Sequence, residues 1–148
     1  MRRSILLLAM MLFGLIIVGG VALAATITCA TSSCTGTNSS DTLNGNTNNN
    51  RMAGGGGNDT VKGVGGNDFL FGDQGDDTLQ GGNGSDFLNS ADFVQGNDTV
   101  DGGAGTNICV VDKGDLIADS SGNTTPAPGA SSNPGSLGTC ALLTVVGE

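Results

Sequence analysis

The chain has 148 residues, among them 27 Gly and five Phe, with no Trp, Tyr or His. That length suits one small domain and leaves no room for a second, catalytic one, while the composition excludes an ordinary core of large side chains and, without His, both an HExxH site and a Ser-His-Asp triad. Fourteen acidic residues against five basic ones give a net charge of −9, which opposes binding to nucleic acid or to an anionic membrane and favours cations as partners.

Residues 1–24 have the make-up of an export signal. Arg2 and Arg3 precede an apolar run from Ile5 to Val18, and Val21-Ala22-Leu23-Ala24 carries the small-residue cleavage pattern. Cleavage after Ala24 starts the mature chain at Ala25. Fourteen acids then face only Arg51, Lys62 and Lys113, which leaves minus eleven. The competing possibility is an uncleaved anchor, because residues 5–25 carry no charge and are long enough to cross a hydrocarbon layer of roughly 30 Å. A lipid anchor on Cys29 is disfavoured by Thr28, which stands where a small Gly, Ala or Ser is expected.

Cys29, Cys34, Cys109 and Cys140 all follow the expected cleavage point, an even number in a chain bound for an oxidising compartment. Three disulfide connectivities are open to four cysteines; closeness in sequence favours Cys29 with Cys34 and leaves Cys109 for Cys140. A thiolate metal site is the alternative, opposed by the lack of His and of a CxxC spacing. Residues 25–35 are expected to form an N-terminal cap.

From residue 36 the chain repeats itself every nine residues. Aligned on aspartate, the units are GTNSSDTLN from Gly36, GNTNNNRMA from Gly45, GGGGNDTVK from Gly54, GVGGNDFLF from Gly63, GDQGDDTLQ from Gly72 and GGNGSDFLN from Gly81. After the extra residues Ser90 to Asp92 come FVQGNDTVD from Phe93 and GGAGTNICV from Gly102, so eight units span 36–110. A flexible Gly/Asn linker has no reason to carry an Asp at each sixth position and an apolar residue at each eighth.

The units resemble GGxGxDxUx, the nonapeptide of the RTX (repeats-in-toxin, hemolysin-type calcium-binding) family, in which U is a large apolar residue. The eighth positions here are Leu43, Met52, Val61, Leu70, Leu79, Leu88, Val100 and Cys109. Each unit is then a six-residue turn followed by a three-residue strand whose middle side chain points inward. The resemblance implies an all-β, right-handed parallel β-roll, a β-solenoid with two repeats per coil, to which the cysteines are expected to add short disulfide-linked caps. Four coils stacked at about 4.8 Å would stand roughly 19 Å tall.

The resemblance also implies Ca²⁺ as the cofactor, several ions and up to about six, held by oxygens between turns stacked on the same side. A narrow seam of Leu, Val and Met buries too little to offset the ordering of so many glycines, so calcium is expected to supply the difference. One edge would stack Asp41, Asp59, Asp77 and Asp98, the other Asn50, Asp68, Asp86 and Asn107, each internal Asp giving one oxygen to the ion above and one to the ion below. Carbonyl donors are expected from Gly54, Gly56, Gly63, Gly65, Gly72, Gly75, Gly81 and Gly84. Asn50 and Asn107 are neutral, the first two units lack paired glycines, which weakens the expectation at Asp41, and the insertion Ser90 to Asp92 is expected to bulge the coil and disturb Asp98 over Asp77. The acids Asp73, Asp76, Asp92, Asp101, Asp112 and Asp115 are expected at solvated surface, and Phe69, Phe71 and Phe87 in lateral packing. An N-terminal export signal departs from the C-terminal secretion signal of many RTX proteins.

Residues 111–148 begin with a degenerate VDKGDLIAD. The stretch Ser120 to Gly138, rich in Ser, Gly, Asn and Pro, suits a loop, and the final CALLTVV suits a strand that a Cys109–Cys140 bond would fold over the end of the roll. The function expected is a secreted, calcium-stabilised structural or binding module that is not an enzyme. The alternatives are an accessory module of a secreted hydrolase, a surface-adhesion protein or an ice-binding one. Against the last, the third positions Asn38, Thr47, Gly56, Gly65, Gln74, Asn83, Gln95 and Ala104 form no threonine rank. No small-molecule substrate is evident; cell-surface contact or self-association is open.

Overall fold

The computed structural model describes residues 23–94, 97–118, 124–126 and 140–146. The expected export signal lies outside these apart from Leu23 and Ala24, as does the expected loop from Ser120 to Gly138 apart from 124–126.

The strands are β1 (Thr26–Thr28), β2 (Ser33–Thr35), β3 (Thr42–Asn44), β4 (Arg51–Gly56), β5 (Thr60–Gly65), β6 (Phe69–Gln74), β7 (Thr78–Asn83), β8 (Phe87–Asn89), β9 (Thr99–Asp101), β10 (Asn107–Asp112), β11 (Leu116–Ala118), β12 (Thr124–Pro126) and β13 (Cys140–Val146). They form two sheets, in the orders β1-β3-β5-β7-β9-β11-β12 and β13-β10-β8-β6-β4-β2. Successive repeats alternate between the sheets, so the chain winds a parallel β-solenoid of about five turns.

Register follows the nine-residue period. Leu43, Val61, Leu79 and Val100 align in one sheet, and Met52, Leu70, Leu88 and Cys109 in the other. A strand shows alternate residues to opposite faces, so the eighth residue of each unit points between the sheets with its neighbours outside. All eight of these side chains are 0% exposed. The core is therefore two facing rows, each Leu contributing about 1.5–3 kcal/mol by burial.

The turns demand left-handed backbone. Gly84 has φ +142°, and a Cβ there would collide with the carbonyl oxygen of Gly66 in the coil before. Val64 and Asp73 hold the second position of their turns at φ 81° and 69°, a conformation that costs L-residues about 1–2 kcal/mol.

The roll extends beyond eight repeats at both ends. Strands β1 and β2, from the segment expected as a cap, pair in parallel with β3 and β4 and form a first coil. The Cys29–Cys34 disulfide closes the corner between them, with Cα atoms 5.6 Å apart. At the other end VDKGDLIAD is a further repeat: β11 pairs with β9, and Ile117 is 1% exposed in the eighth-position row. Strand β13 joins β10 in parallel, tied by Cys109–Cys140 at a Cα separation of 5.8 Å. Thr124–Pro126, expected in a loop, is strand β12, antiparallel to β11. Together β12 and β13 cover edges that would otherwise offer free backbone groups to another chain.

The insertion does not disturb the stack. Thr78, Leu79 and Gln80 pair with Thr99, Val100 and Asp101 in unbroken register. The extra residues are taken up in the turn, where Ser90 is buried and Phe93 projects, 84% exposed. Ser90 Oγ donates to Asp115 Oδ2 at 3.1 Å, and the N–H groups of Asp92 and Phe93 donate to Asp112 Oδ2 at 2.9 and 2.6 Å.

Candidate metal centre

Each sixth-position residue lies where a turn enters a strand, so the parallel register stacks these residues one coil apart along both edges. The Asp41 N–H donates to Asp59 Oδ1 at 2.7 Å, Asp59 to Asp77 at 2.8 Å, Asp77 to Asp98 at 2.6 Å, and Asp98 to Asp115 at 3.4 Å. On the opposite edge Asn50 donates to Asp68 at 2.7 Å, Asp68 to Asp86 at 2.8 Å and Asp86 to Asn107 Oδ1 at 2.9 Å. Both stacks thus have the membership expected from sequence, with Asp98 in place and Asp115 added. All of these side chains are buried.

In five of these carboxylates one oxygen is spoken for and the other is not, whereas both oxygens of Asp41 and of Asp115 accept hydrogen bonds. Oδ2 of Asp59, Asp68, Asp77, Asp86 and Asp98 is buried and accepts no hydrogen bond. Oδ1 of each of these five takes a backbone N–H from the coil before. A buried carboxylate oxygen without a donor is costly unless a cation lies beside it.

Glycine carbonyls converge on these oxygens. A Cβ on Gly54 would meet Asp59 Oδ2 and the Gly72 carbonyl oxygen; on Gly63, Asp68 Oδ2 and the Gly81 carbonyl; on Gly81, Asp86 Oδ2 and the Gly102 carbonyl. At Gly72 it would meet Asp77 Oδ2. First-position glycines are thus needed so that carboxylate and carbonyl can approach. At the other glycines an added Cβ has different neighbours. At Gly56 it would face Asn38, at Gly65 Thr47 and Asn83, and at Gly75 and Gly84 the carbonyls of Gly57 and Gly66. The Gly75 carbonyl also accepts from Asn97 Nδ2 at 2.8 Å.

Burial pushes the pKa of Asp59, Asp68, Asp86 and Asp115 up, that of Asp77 to about 6 and that of Asp98 to about 8; nearby carboxylates add to the last two. Asp41 goes the other way. Hydrogen bonds from Ala25 and Thr37 satisfy it and lower its pKa. Among the described residues no group of three or more His, Cys, Asp or Glu side chains is placed to hold a metal by itself. A cation at these edges would draw on paired carboxylate and carbonyl oxygens, a donor set that fits Ca²⁺, which takes six to eight oxygens in irregular geometry.

Two of the acids expected at the surface are not there. Asp112 and Asp115 are 0% exposed, because the degenerate repeat closes the last coil. Asp73 and Asp76 are exposed, Asp92 and Asp101 half-buried. Phe69 and Phe71 pack laterally on Phe87 at centroid distances of 5.9 and 6.0 Å, with the Arg51 guanidinium 4.6 Å above Phe71.

Two rows went unread in the sequence. Fifth positions form a second ladder: Asn58 N–H donates to Ser40 Oγ, Asp76 N–H to Asn58 Oδ1, Asn67 N–H to Asn49 Oδ1 and Ser85 N–H to Asn67 Oδ1, at 2.8–3.1 Å. Seventh positions place Thr26, Thr42, Thr60, Thr78 and Thr99 in one file on the outer face of the first sheet. The signal for that file was an alternation: odd units carry Thr at position seven, even units Arg, Phe or Ile.

A two-sheet parallel coil with buried carboxylates and glycine carbonyls meeting at each turn edge is a β-roll of the calcium-binding kind. The model of the RTX calcium-binding nonapeptide repeat matches in four copies, over residues 35–70, 62–93 and 95–115, and the chain belongs to that family. No curated protein and no solved structure matches the chain.

Proposed function

We propose that the chain is exported and becomes an ordered roll by binding calcium between its stacked turns, acting as a scaffold or attachment surface and not as a catalyst. The observation that carries this reading is the row of five buried, unpartnered Oδ2 atoms on Asp59, Asp68, Asp77, Asp86 and Asp98. Asp59, Asp77 and Asp98 are the proposed carboxylate ligands on one edge, Asp68 and Asp86 on the other, with the carbonyls of Gly72, Gly81 and Gly102 beside three of them. RTX repeats bind Ca²⁺. Extracellular modules typically do so at about 10⁻⁴–10⁻³ M, and an ion that binds only the folded form stabilises it by mass action.

Before export the chain meets little calcium and its carboxylates repel one another. Outside, calcium removes that repulsion. Far-UV circular dichroism of the secreted protein should therefore change from coil to β as calcium rises towards about 1 mM. A β-rich spectrum unaffected by chelator would contradict the reading.

The threonine file favours a second reading, adsorption to ice through a flat rank of hydroxyls. Thr42, Thr60, Thr78 and Thr99 are half-buried, so their rotamers are constrained and their hydroxyls regularly spaced. Thermal hysteresis in the calcium-loaded protein, lost in Thr60→Lys with Thr78→Lys, would support it; no hysteresis in the parent would remove it.

A further inference from the structure

Ala25, the residue expected to become the N-terminus, occupies the slot that a sixth-position residue fills in every later coil. Its carbonyl accepts from the Thr42 N–H at 2.8 Å, as the Asp41 carbonyl does from Thr60. Its N–H donates to Asp41 Oδ1 at 2.6 Å, as the N–H of Asp41 does to Asp59. Asp41 differs from Asp59, Asp77 and Asp98 in having no free oxygen. Its Oδ2 accepts from the Thr37 N–H at 2.6 Å and from Thr37 Oγ1 at 2.8 Å. The bond before Ala25 is open to a protease, with Ala24 exposed and Leu23 77% exposed. Beyond it, the Cys29–Cys34 disulfide and the β1–β3 pairing hold the segment on the roll.

We propose that cleavage after Ala24 places the new α-ammonium of Ala25 on the Asp41 carboxylate, where it serves as the cation that closes the N-terminal end of the aspartate row. This rests on the reading of residues 1–24 as a cleaved export signal. In the step itself a leader peptidase adds water across the Ala24–Ala25 bond. The C–N bond breaks, hydroxyl goes to the Ala24 carbonyl carbon, and the released nitrogen is protonated. The N–H···O⁻ contact becomes N⁺–H···O⁻, which adds the attraction of a full positive charge to a hydrogen bond already in place. The end of the row, beyond which the described residues hold no further coil and where no carboxylate oxygen is left for a metal, gains its counter-charge from the chain's own maturation. Processing and assembly are thereby coupled, because the unprocessed chain lacks that charge.

The test begins with N-terminal sequencing of the secreted protein, for which Ala25 is the expected first residue. That protein is then compared with Asp41→Asn, with a form in which two inserted residues (Ser-Gly) precede Ala25 after processing, and with the combination. In calcium, the α-amine of Ala25 should react with an acylating reagent about fivefold more slowly than the amine of either altered form. The calcium midpoint should rise about twofold in each single variant and no further in the combination. A different native first residue would overturn the proposal together with the export reading. An Ala25 start with equal acylation rates and additive midpoint shifts would overturn the ammonium pair and leave the export reading standing. Should Asp41→Asn fail to fold, the acylation rate of the displaced form decides alone.

Discussion

Asp98 illustrates what a single residue contributes here. Its Oδ1 clasps the coil before through the Asp77 N–H, and its Oδ2 is buried without a donor, so burial pushes its pKa up to about 8. Asp98→Asn should therefore stabilise the calcium-free roll at pH 8, while raising the calcium concentration needed for full order by about tenfold, a cost of about 1.4 kcal/mol in binding. Chemical denaturation with and without calcium checks both directions. Val64, left-handed at φ 81° where Gly55 and Gly82 stand in neighbouring units, gives a second prediction. Val64→Gly should add about 0.5–1 kcal/mol in urea unfolding, since relief of the strained φ exceeds the entropy that Gly brings to the unfolded chain. The roles of the sixth and eighth positions were legible because Asp recurs at six of eight sixth positions and an apolar residue at every eighth, with one insertion in the spacing. Asp112 and Asp115 were not, because their repeat keeps only Gly114, Asp115 and Ile117 at recognisable places, and three residues do not make a period visible.

At the scale of elements, the strands and their alternation between sheets follow from the period alone, whereas the ends do not. Strands β1 and β2 have no glycine turn between them; they join the roll because the Cys29–Cys34 loop replaces it and because Ala25 and Ser32 present carbonyls to Thr42 and Arg51. The insertion was expected to misalign Asp98, yet three residues can leave a turn without moving either strand when Asp112 and Ser90 supply the fixing hydrogen bonds. Strand β13 depends on its covalent tie. Cys140→Ser with Cys109→Ser should lower stability by about 2–4 kcal/mol, given a sequence separation of 31 residues, and should speed amide exchange first in β13.

For the molecule as a whole, buried acids with raised pKa values make the calcium-free roll sensitive to pH in an unusual direction. An aspartate unfolds to a pKa near 3.9, so between that value and its raised folded value the native state binds more protons, and stability falls as pH rises. With Asp77 at about 6 and Asp98 at about 8, the loss should run from about pH 4 to pH 8. Thermal unfolding in chelator should show a midpoint that drops steadily over that window, and calcium should abolish the drop by taking the place of the protons. Whether the free Oδ2 atoms face calcium is answered by long-wavelength anomalous diffraction from crystals of the calcium complex. Peaks beside Oδ2 of Asp59, Asp68, Asp77, Asp86 and Asp98, each within bonding distance of a glycine carbonyl, are the predicted result. An ordered roll with no anomalous peak along either turn edge would mean that calcium does not hold these carboxylates.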